Sequence, residues 1–349
     1  MFIDCHVHLR DCEEKYKETI KHGLEVALDS GVDAVFDMPN TNPPLTTKKA
    51  ITDRLLLAKA AEIKEVFYGI YAGVTADQEQ VRQTIDIARK HKQIVGIKLY
   101  AGHSTNNMGV IHLSDQEKIY ETLAKEGYTG VLAVHCEKES EMDKNEWNPL
   151  VPVSHCFARP EIAEIASVKD QIANTQKYNF KGKLHIAHIS SPTAVKLVQQ
   201  AKTQGLDISC GICPHHFIYD WEQMHKKDGL VWKMNPPLRS PQAREQMLNY
   251  LHEGKIDWIE TDHAPHTLHE KTQYPFLSGI TGLQHWPLFR EFLRKNNFSE
   301  IQIEKTTFEN VRKRFNLDIH KSERKIKDRK KDYPFNFYAP MEKILKEKK

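Results

Sequence analysis

The chain has 349 residues, of which 40% are hydrophobic and 28% are charged, and its formal net charge is +3. This length allows one large α/β domain or two ordinary ones, and the near balance of charge gives no reason to expect nucleic acid or a membrane as a partner. No apolar run approaches the ~18 residues of a membrane span. We expect no signal peptide, and the six scattered cysteines are typical of reduced thiols, so the sequence predicts a cytoplasmic globular protein.

Strand-like and helix-like segments alternate along almost the whole chain. A first strand lies within residues 2–10, and short apolar segments predict seven more at 34–38, 66–71, 94–100, 131–135, 184–189, 207–212 and 256–261. Helical patterns lie between them at 17–30, 47–62, 77–91 and 115–126, and from about 159, 192, 240 and 282. Several strands are apolar on both faces, as buried parallel strands are. These eight βα units predict a (β/α)8 TIM barrel.

The same units could also form a doubly wound open sheet, but no Gly-x-Gly-x-x-Gly motif follows any of the strands. The predicted loops after strands 4, 5, 7 and 8 are long, and in barrels such loops build the active site. We assign residues 1–319 to the barrel. Residues 320–349 are rich in lysine and arginine, and we expect a basic C-terminal extension that packs on the barrel or trails from it.

Polar side chains occur at or near the C-terminal ends of five predicted strands, where the mouth of a barrel lies. They are His6, His8, Lys98, His135, His188 and Asp262. Residues two apart on a strand point to the same face, so His6 and His8 can bind one ion, and imidazole suits zinc. A single histidine in an apolar strand is more often a hydrogen-bonded core residue. Four at equivalent positions beside a carboxylate predict a metal centre.

Lys98 lies between two apolar residues, where an unpaired ammonium is costly to bury. Its side chain could extend to solvent, or it could react with carbon dioxide to form a carbamate, an anionic ligand that bridges two metal ions. The four histidines and the aspartate favour the carbamate. The predicted centre then holds two zinc ions, bridged by carboxylated Lys98 and a hydroxide, while Asp262 binds a metal and transfers a proton. This set of residues predicts hydrolysis, or its reverse, of an amide-like C–N bond.

Seven short motifs lie between residues 2 and 285: HVHLR at 6–10, MPNT at 38–41, GIKLY at 96–100, HIS at 188–190, PHH at 214–216, KMNPPLR at 233–239 and TDHAPH at 261–266. In combination they resemble dihydroorotase, from the cyclic-amidohydrolase branch of the amidohydrolase superfamily. The resemblance implies the reversible, zinc-dependent cyclisation of N-carbamoyl-L-aspartate to L-dihydroorotate in pyrimidine biosynthesis.

Dihydroorotate carries a carboxylate beside a cyclic imide, and a guanidinium at Arg10 can hold that carboxylate through two hydrogen bonds. Asn40 can add a neutral donor. The resemblance implies that His266 joins these two residues and that Asn235 contacts the pyrimidine ring. Asn40 and Asn235 each stand beside a proline, so a role as a turn residue stays open for both.

Two features depart from the resemblance. Related enzymes often have strand segments before the His-x-His motif and at the C-terminus that build a small β-sandwich. This chain starts at the barrel and its end is basic, so we expect a barrel without an obvious β-sandwich subdomain. Residues 11–14 read DCEE where a proline-glycine turn would be expected, so the loop beside the carboxylate site is expected to differ.

Two alternative functions remain. A hydantoinase, dihydropyrimidinase or allantoinase uses the same metals on another ring, but Arg10 with Asn40 argues for a substrate that carries a carboxylate. A non-catalytic subunit that supports aspartate transcarbamoylase would be marked by lost metal ligands, and all six candidates are present. We expect a small-molecule substrate, while a homodimer and an association with aspartate transcarbamoylase both stay open.

Overall fold

A computed structural model describes residues 2–320 and 324–347. In that part of the chain, eight strands form one sheet: β1 (Ile3–Val7), β2 (Ala34–Asp37), β3 (Phe67–Gly73), β4 (Ile94–Ala101), β5 (Val131–Cys136), β6 (Lys183–Ile186), β7 (Ile208–Ile212) and β8 (Trp258–Ile259). Neighbouring strands pair in parallel and in chain order. A parallel bridge joins His263, just after β8, to Val7 of β1, and the backbone N–H of His8 donates to the carbonyl oxygen of His263 at 2.7 Å. The sheet thus returns to its first strand as a (β/α)8 barrel, which confirms the predicted fold.

Fourteen α-helices accompany the strands in the described residues. They are α1 (Ile20–Asp29), α2 (Lys48–Ala60), α3 (Gln78–Lys90), α4 (Leu113–Lys125), α5 (Ser154–Ala158), α6 (Glu161–Lys177), α7 (Pro192–Thr203), α8 (Pro214–Ile218), α9 (Pro241–His252), α10 (Leu268–Thr272), α11 (Trp286–Lys295), α12 (Glu300–Glu304), α13 (Asn310–Arg314) and α14 (Ala339–Glu347). Short 3-10 helices occur at Cys12–Glu14, Thr105–Asn107, Glu139–Glu141, Lys144–Glu146, Trp221–His225, Gly229–Trp232, Leu283–His285 and Lys330–Asp332, and a π-helical turn at Lys305–Glu309 joins α12 to α13.

Side-chain caps fix where several helices begin. The hydroxyl of Ser191 accepts a hydrogen bond from the backbone N–H of Ala194, and Pro192 occupies the first turn of α7, where its missing N–H costs nothing. The helix predicted from residue 17 begins instead at Ile20, because Thr19 caps it and the preceding residues form a turn.

Two strands are shorter than their apolar patterns predict. β6 ends at Ile186 rather than at residue 189, and His188 beyond it has a φ of 39° in the left-handed region. β8 comprises only Trp258 and Ile259. In both places the chain leaves the sheet just before a polar residue that the sequence predicts to bind metal.

Alternation along β4 places Lys98 inside the barrel. Ile97 and Leu99 belong to an apolar cluster that includes Ile119 and Leu123 of α4, so these two side chains face the helices. The side chain between them must point the other way, because successive strand residues face opposite sides of the sheet. Lys98 is consequently buried towards the barrel axis, with no exposed surface.

The described part of the C-terminal segment, residues 324–347, contacts the barrel at both basic and apolar positions. Lys327 Nζ lies 2.7 Å from Asp29 Oδ1 at the end of α1, and Tyr333 Oη donates to Glu18 Oε1 at 2.6 Å. Tyr338 is fully buried. Residues 321–323 and 348–349 of the predicted basic extension lie outside the described residues, and the domain boundary near residue 320 stays a prediction.

None of the helices in the described ranges combines the length and the apolar character that a membrane span requires. The cytoplasmic location stays a prediction from the sequence.

Candidate metal centre and substrate pocket

A pocket of about 510 Å³ opens at the carboxyl ends of the strands. Nine of the ten residues that the sequence predicts for the site line it: His6, His8, Arg10, Asn40, His135, His188, Asn235, Asp262 and His266. Lys98, the tenth, lies below them, with its Nζ 5.0 Å from the centre of the Tyr100 ring. The fold therefore brings predicted residues that lie on or after seven different strands to one place.

His6, His8 and Asp262 form one group of potential metal ligands at the pocket. Asp262 Oδ1 lies 3.3 Å from His6 Nε2 and 3.0 Å from His8 Nε2, and one ligand atom from each residue lies within 4.8 Å of the others. Ligand atoms around one tetrahedral zinc ion are about 3.3 Å apart, given Zn–N and Zn–O bonds of about 2.0–2.1 Å. These three side chains thus fit a shared cation.

His135 and His188 complete the predicted histidine set on the adjoining wall. His135 Nδ1 lies 3.1 Å from His188 Nε2, and the ring centre of His188 lies 4.9 Å from that of His6. Burial lowers the pKa of His6 to about 4 and the pKa of His188 well below its usual range. Both imidazoles are therefore neutral at ordinary pH, which is the form that binds metal.

Lys98 has a buried polar atom that no neighbouring side chain in the described ranges satisfies. Its Nζ is buried and has no hydrogen-bond partner among the described residues. Burial lowers the pKa of Lys98 to about 8. A buried, unpartnered amine costs free energy unless something else satisfies it. The donor set, with its neutral imidazoles, carboxylate and free amine, fits a metal centre of the kind that the sequence predicts.

A second group of potential ligands in the described residues comprises Cys213, His215 and His216, whose ligand atoms also lie within 4.8 Å of one another. All three come from one short segment where α8 begins, and none of them lines the pocket. The first group is joined by His135, His188 and Lys98 and opens onto the pocket. We therefore take the first group as the candidate metal centre.

Three site residues adopt a backbone conformation that side chains other than glycine rarely adopt. The φ angles are 55° at Arg10, 39° at His188 and 50° at Asp262. Each residue follows the end of a strand, so the left-handed turn directs its side chain into the pocket. Such strain costs of order 1–3 kcal/mol per residue and is concentrated at functional sites.

Arg10 and His266 form one corner of the pocket. Arg10 Nε donates to the carbonyl oxygen of Pro265 at 3.2 Å, and its Nη2 lies 3.0 Å from His266 Nε2. Within the described residues, the hydrogen bonds of this buried guanidinium go to a carbonyl and an imidazole rather than to a carboxylate. Its charge is therefore available for an anionic group of a ligand.

Asn40 and Asn235 line the pocket, and each amide already has a protein partner. Asn40 Nδ2 donates to Thr105 Oγ1 at 2.9 Å, in the loop after β4. Asn235 Oδ1 lies 3.0 Å from His155 Nε2. No sequence pattern selected Thr105 or His155, because each lies in a short helix between a strand and the next long helix, and the position of that short helix depends on the folded barrel.

Two buried glutamates beside the histidines were also missed. Glu137 Oε2 lies 3.0 Å from His135 Nε2, and Glu137 in turn accepts hydrogen bonds from Arg159. Glu260 Oε1 lies 3.6 Å from His6 Nδ1. The sequence signal was proximity in the chain: Glu137 stands two residues after His135, and Glu260 two residues before Asp262, and a carboxylate so near a predicted ligand is a candidate to support it.

Comparison with known proteins adds family relationships to this geometry. Residues 2–141 match the model of the amidohydrolase family. The dihydroorotase of Lactobacillus gasseri is 32% identical over 275 residues, which are 77% of this chain and 61% of that protein. The dihydroorotase of Listeria innocua is 32% identical over 325 residues, which are 86% of this chain and 69% of that protein. The match thus spans about three-fifths to two-thirds of the length of these relatives.

Solved structures share the barrel. An L-hydantoinase (dihydropyrimidinase) from Arthrobacter aurescens superposes with a TM-score of 0.78 at 21% identity, covering 94% of this chain and 74% of that one. A dihydroorotase from Campylobacter jejuni superposes with a TM-score of 0.68 at 21% identity, covering 91% of this chain and 84% of that one. At this identity the likeness establishes the fold alone.

Proposed function

The chain belongs to the dihydroorotase family of amidohydrolases, and on that premise we propose that it catalyses the reversible cyclisation of N-carbamoyl-L-aspartate to L-dihydroorotate. The observation that carries the proposal is the position of Arg10 and His266 in the same pocket as His6, His8 and Asp262. A substrate with a carboxylate and a cyclic imide needs an anion site and a hydrolytic centre side by side. Pyrimidine biosynthesis is the pathway that follows from this reaction.

We propose that the centre holds two zinc ions, with His6, His8, His135, His188 and Asp262 as ligands and carboxylated Lys98 as the bridge. The unpartnered Nζ of Lys98 supports the bridge, because carbamate formation gives this buried nitrogen an anionic group that the metals can bind. The neutral imidazoles and the carboxylate support zinc, which prefers nitrogen and oxygen donors of this kind. When bound, the metals would lower the pKa of a water molecule and polarise a carbonyl group.

Asp262 is the residue proposed to move the proton. In the hydrolytic direction a water adds to the ring carbonyl carbon, the C–N bond breaks, and the nitrogen gains the proton that the water loses. The Asp262 carboxylate faces the pocket beside the histidine cluster, so it can accept that proton and deliver it to the nitrogen. Cyclisation uses the same steps in reverse.

Arg10, His266, Asn40 and Asn235 are proposed to bind and orient the substrate. Arg10 would hold the carboxylate, with His266 and Asn40 beside it, and Asn235 would contact the ring. The buried position of Arg10 supports this assignment, because a charge-assisted hydrogen bond is stronger where water is excluded. The substrate is thus a small molecule, and nothing in the proposal requires a partner protein.

Turnover of L-dihydroorotate by the zinc-loaded protein tests the proposal, with dihydrouracil and hydantoin measured alongside. We expect ring opening of dihydroorotate and little or none of the neutral rings, since only dihydroorotate carries a carboxylate for Arg10. Activity on the neutral rings alone would contradict the substrate and favour a hydantoinase-like enzyme. Metal-loaded protein that acts on none of them would favour the non-catalytic subunit.

A further inference from the structure

Glu260 is a fully buried carboxylate that the proposed reaction does not use. It follows β8 directly, and its side chain reaches below the pocket towards β1 and β6. Its Oε1 lies 3.6 Å from His6 Nδ1 and accepts a hydrogen bond from the backbone N–H of His188 at 2.5 Å. One oxygen atom therefore contacts two residues proposed to bind metal, and these come from two different strands.

The other oxygen of Glu260 is held by three donors. Oε2 accepts from the thiol of Cys5 at 3.1 Å and from the indole N–H of Trp258 at 3.0 Å, and it lies 3.2 Å from His185 Nε2. All of these groups are buried, so neither the carboxylate nor its partners can exchange for water. The carboxylate is consequently fixed, and Oε1 is a rigid point against which a neighbouring ring can be oriented.

The neighbouring strand is shaped to admit this side chain. A Cβ atom at Gly211 of β7 would come within 2.6 Å of Glu260 Cδ and Oε2 and within 2.8 Å of Trp258 Nε1. No side chain larger than that of glycine fits there while Glu260 keeps its position. This is an observation independent of the hydrogen bonds, and it ties a residue on β7 to the position of a carboxylate from β8.

We propose that Glu260 is a positioning residue for the metal centre. Its Oε1 faces Nδ1 of the His6 ring at 3.6 Å, a polar contact that is longer than a hydrogen bond, and this contact favours the ring orientation in which Nε2 points at Asp262, 3.3 Å away. It also stabilises the left-handed backbone of His188 by accepting its N–H. Carboxylates that hold the second nitrogen of a ligating histidine fix its tautomer and its direction, and their loss typically lowers metal affinity 10- to 100-fold. The inference rests on the metal-binding part of the proposed function.

Metal affinity of the full chain tests this role. Zn²⁺ and Co²⁺ dissociation constants are measured by chelator competition for the wild type, Glu260→Gln and Asp257→Asn, with thermal unfolding as a check that each is folded. Glu260→Gln keeps the size of the side chain but replaces one carboxylate oxygen by an NH₂ group. That NH₂ group would face the N–H and S–H donors that the carboxylate now accepts from. We expect about 10- to 100-fold weaker binding. Asp257→Asn is the control. Asp257 lies three residues before Glu260, and its Oδ2 accepts hydrogen bonds from Cys210 N–H and from Lys202 Nζ instead of from the metal-site residues. This variant should bind metal within about twofold of the wild type.

A coupling experiment separates positioning from general destabilisation. Gly211→Ala should displace Glu260 and weaken Co²⁺ binding in the wild type, with a change in the cobalt absorption bands that report ligand geometry. In a Glu260→Ala background the clash with the carboxylate is gone and only the close contact with Trp258 Nε1 remains, so adding Gly211→Ala should change Co²⁺ binding less than it does in the wild type, and the two effects should be less than additive. Glu260→Asp, which keeps the charge with a shorter reach, should bind metal with an affinity between those of the wild type and Glu260→Gln.

Folded Glu260→Gln that binds metal within twofold of the wild type would overturn the inference, as would fully additive effects of the two substitutions. These outcomes are distinct from a failure of the proposed reaction. Wild-type protein that binds zinc without opening dihydroorotate would contradict the substrate and leave the role of Glu260 testable by the same affinities.

Discussion

Two buried cations, one on α2 and one on β4, differ in how their charge is satisfied. Arg54 of α2 is only 2% exposed, and its Nε donates to Asp37 Oδ2 at 3.0 Å and to Tyr68 Oη at 3.2 Å. Lys98 is equally buried, yet its Nζ has no hydrogen-bond partner among the described residues. Asp37 neutralises the charge of Arg54, whereas the Lys98 amine is left unpaired in the described chain, as its proposed role in a metal centre requires. Between these two residues, the pairing of the buried charge, more than its burial, marks the difference between a structural role and the proposed site role.

The largest effect on turnover is expected from a substitution of Asp262 in the pocket. Asp262→Asn alters the residue that is proposed both to carry the proton and to bind metal, while the buried surroundings keep their shape. General acid–base catalysis contributes about 10²- to 10⁴-fold, so turnover of dihydroorotate should fall at least about 100-fold. Steady-state kinetics give the rate, and circular dichroism checks the fold. An active, folded variant would exclude Asp262 as the proton carrier.

Loss of the buried ion pair between Arg54 and Asp37 should lower the stability of the fold without acting directly on catalysis. Arg54→Met leaves Asp37 buried without its partner, and such a loss typically costs about 3–5 kcal/mol in the free energy of unfolding. Urea denaturation measures it. Lys98→Met, of similar size and burial, is the matched control. If Arg54→Met unfolds at the wild-type urea concentration, the distinction between the two cations is wrong.

Arg10→Ala tests whether a third buried cation, which has no carboxylate partner in the part of the protein that the structure describes, binds the carboxylate of the substrate. Hydrogen bonds to charged groups contribute about 1.5–3 kcal/mol, so KM for dihydroorotate should rise about 10- to 100-fold with a smaller change in kcat. Any residual turnover of dihydrouracil, which has no carboxylate, should be unchanged by the same substitution. Equal kinetics of the variant and the wild type on dihydroorotate would mean that another group binds the carboxylate.

The smallest stability effect is expected at Lys98 itself. Lys98→Met removes an unpartnered buried amine and keeps the volume, so the metal-free protein should unfold within about 1 kcal/mol of the wild type. The same variant should no longer retain two zinc ions after brief chelation, because no anion bridges them. Metal analysis measures the zinc content. Two tightly bound zinc ions in the variant would refute the carbamate.

Much of the site could be predicted because a parallel barrel converts sequence position into space. A polar residue at the end of an apolar strand, such as His135 or Asp262, must lie at the mouth, and two-residue spacing puts His6 and His8 on one face. The apolar neighbours of Lys98 indicated that an unpaired ammonium would be costly there, but its direction stayed open in the sequence, and the structure buries it inside the barrel. These are consequences of strand geometry and need no knowledge of the loops.

Contacts between distant segments were beyond prediction. The reach of Glu260 across the barrel depends on the empty space at Gly211, which no local pattern reveals. The partners of Asn40 and Asn235 belong to short helices whose position follows from packing. The early end of β6 before His188 also escaped prediction, because an apolar run does not disclose a left-handed turn. The two-residue repeat of a strand predicts which face a side chain is on, but it does not predict which distant residues that side chain contacts.

The contact of Tyr333 with the first part of the chain has a consequence for how the protein is made. Its hydroxyl bonds Glu18, 315 residues earlier, and lies 3.2 Å from the imidazole of His263, the residue after Asp262. At a synthesis rate of about 5–20 residues per second, Tyr333 is added to the chain roughly tens of seconds after Glu18. The first βα unit, which carries His6 and His8, already meets the last one through the bridge between Val7 and His263. Tyr333 adds its hydrogen bond to that junction only when translation is nearly complete. A chain stopped before residue 333 would therefore carry all six candidate metal ligands and the residues that close the barrel, but it would lack the tyrosine that bonds Glu18 at the junction.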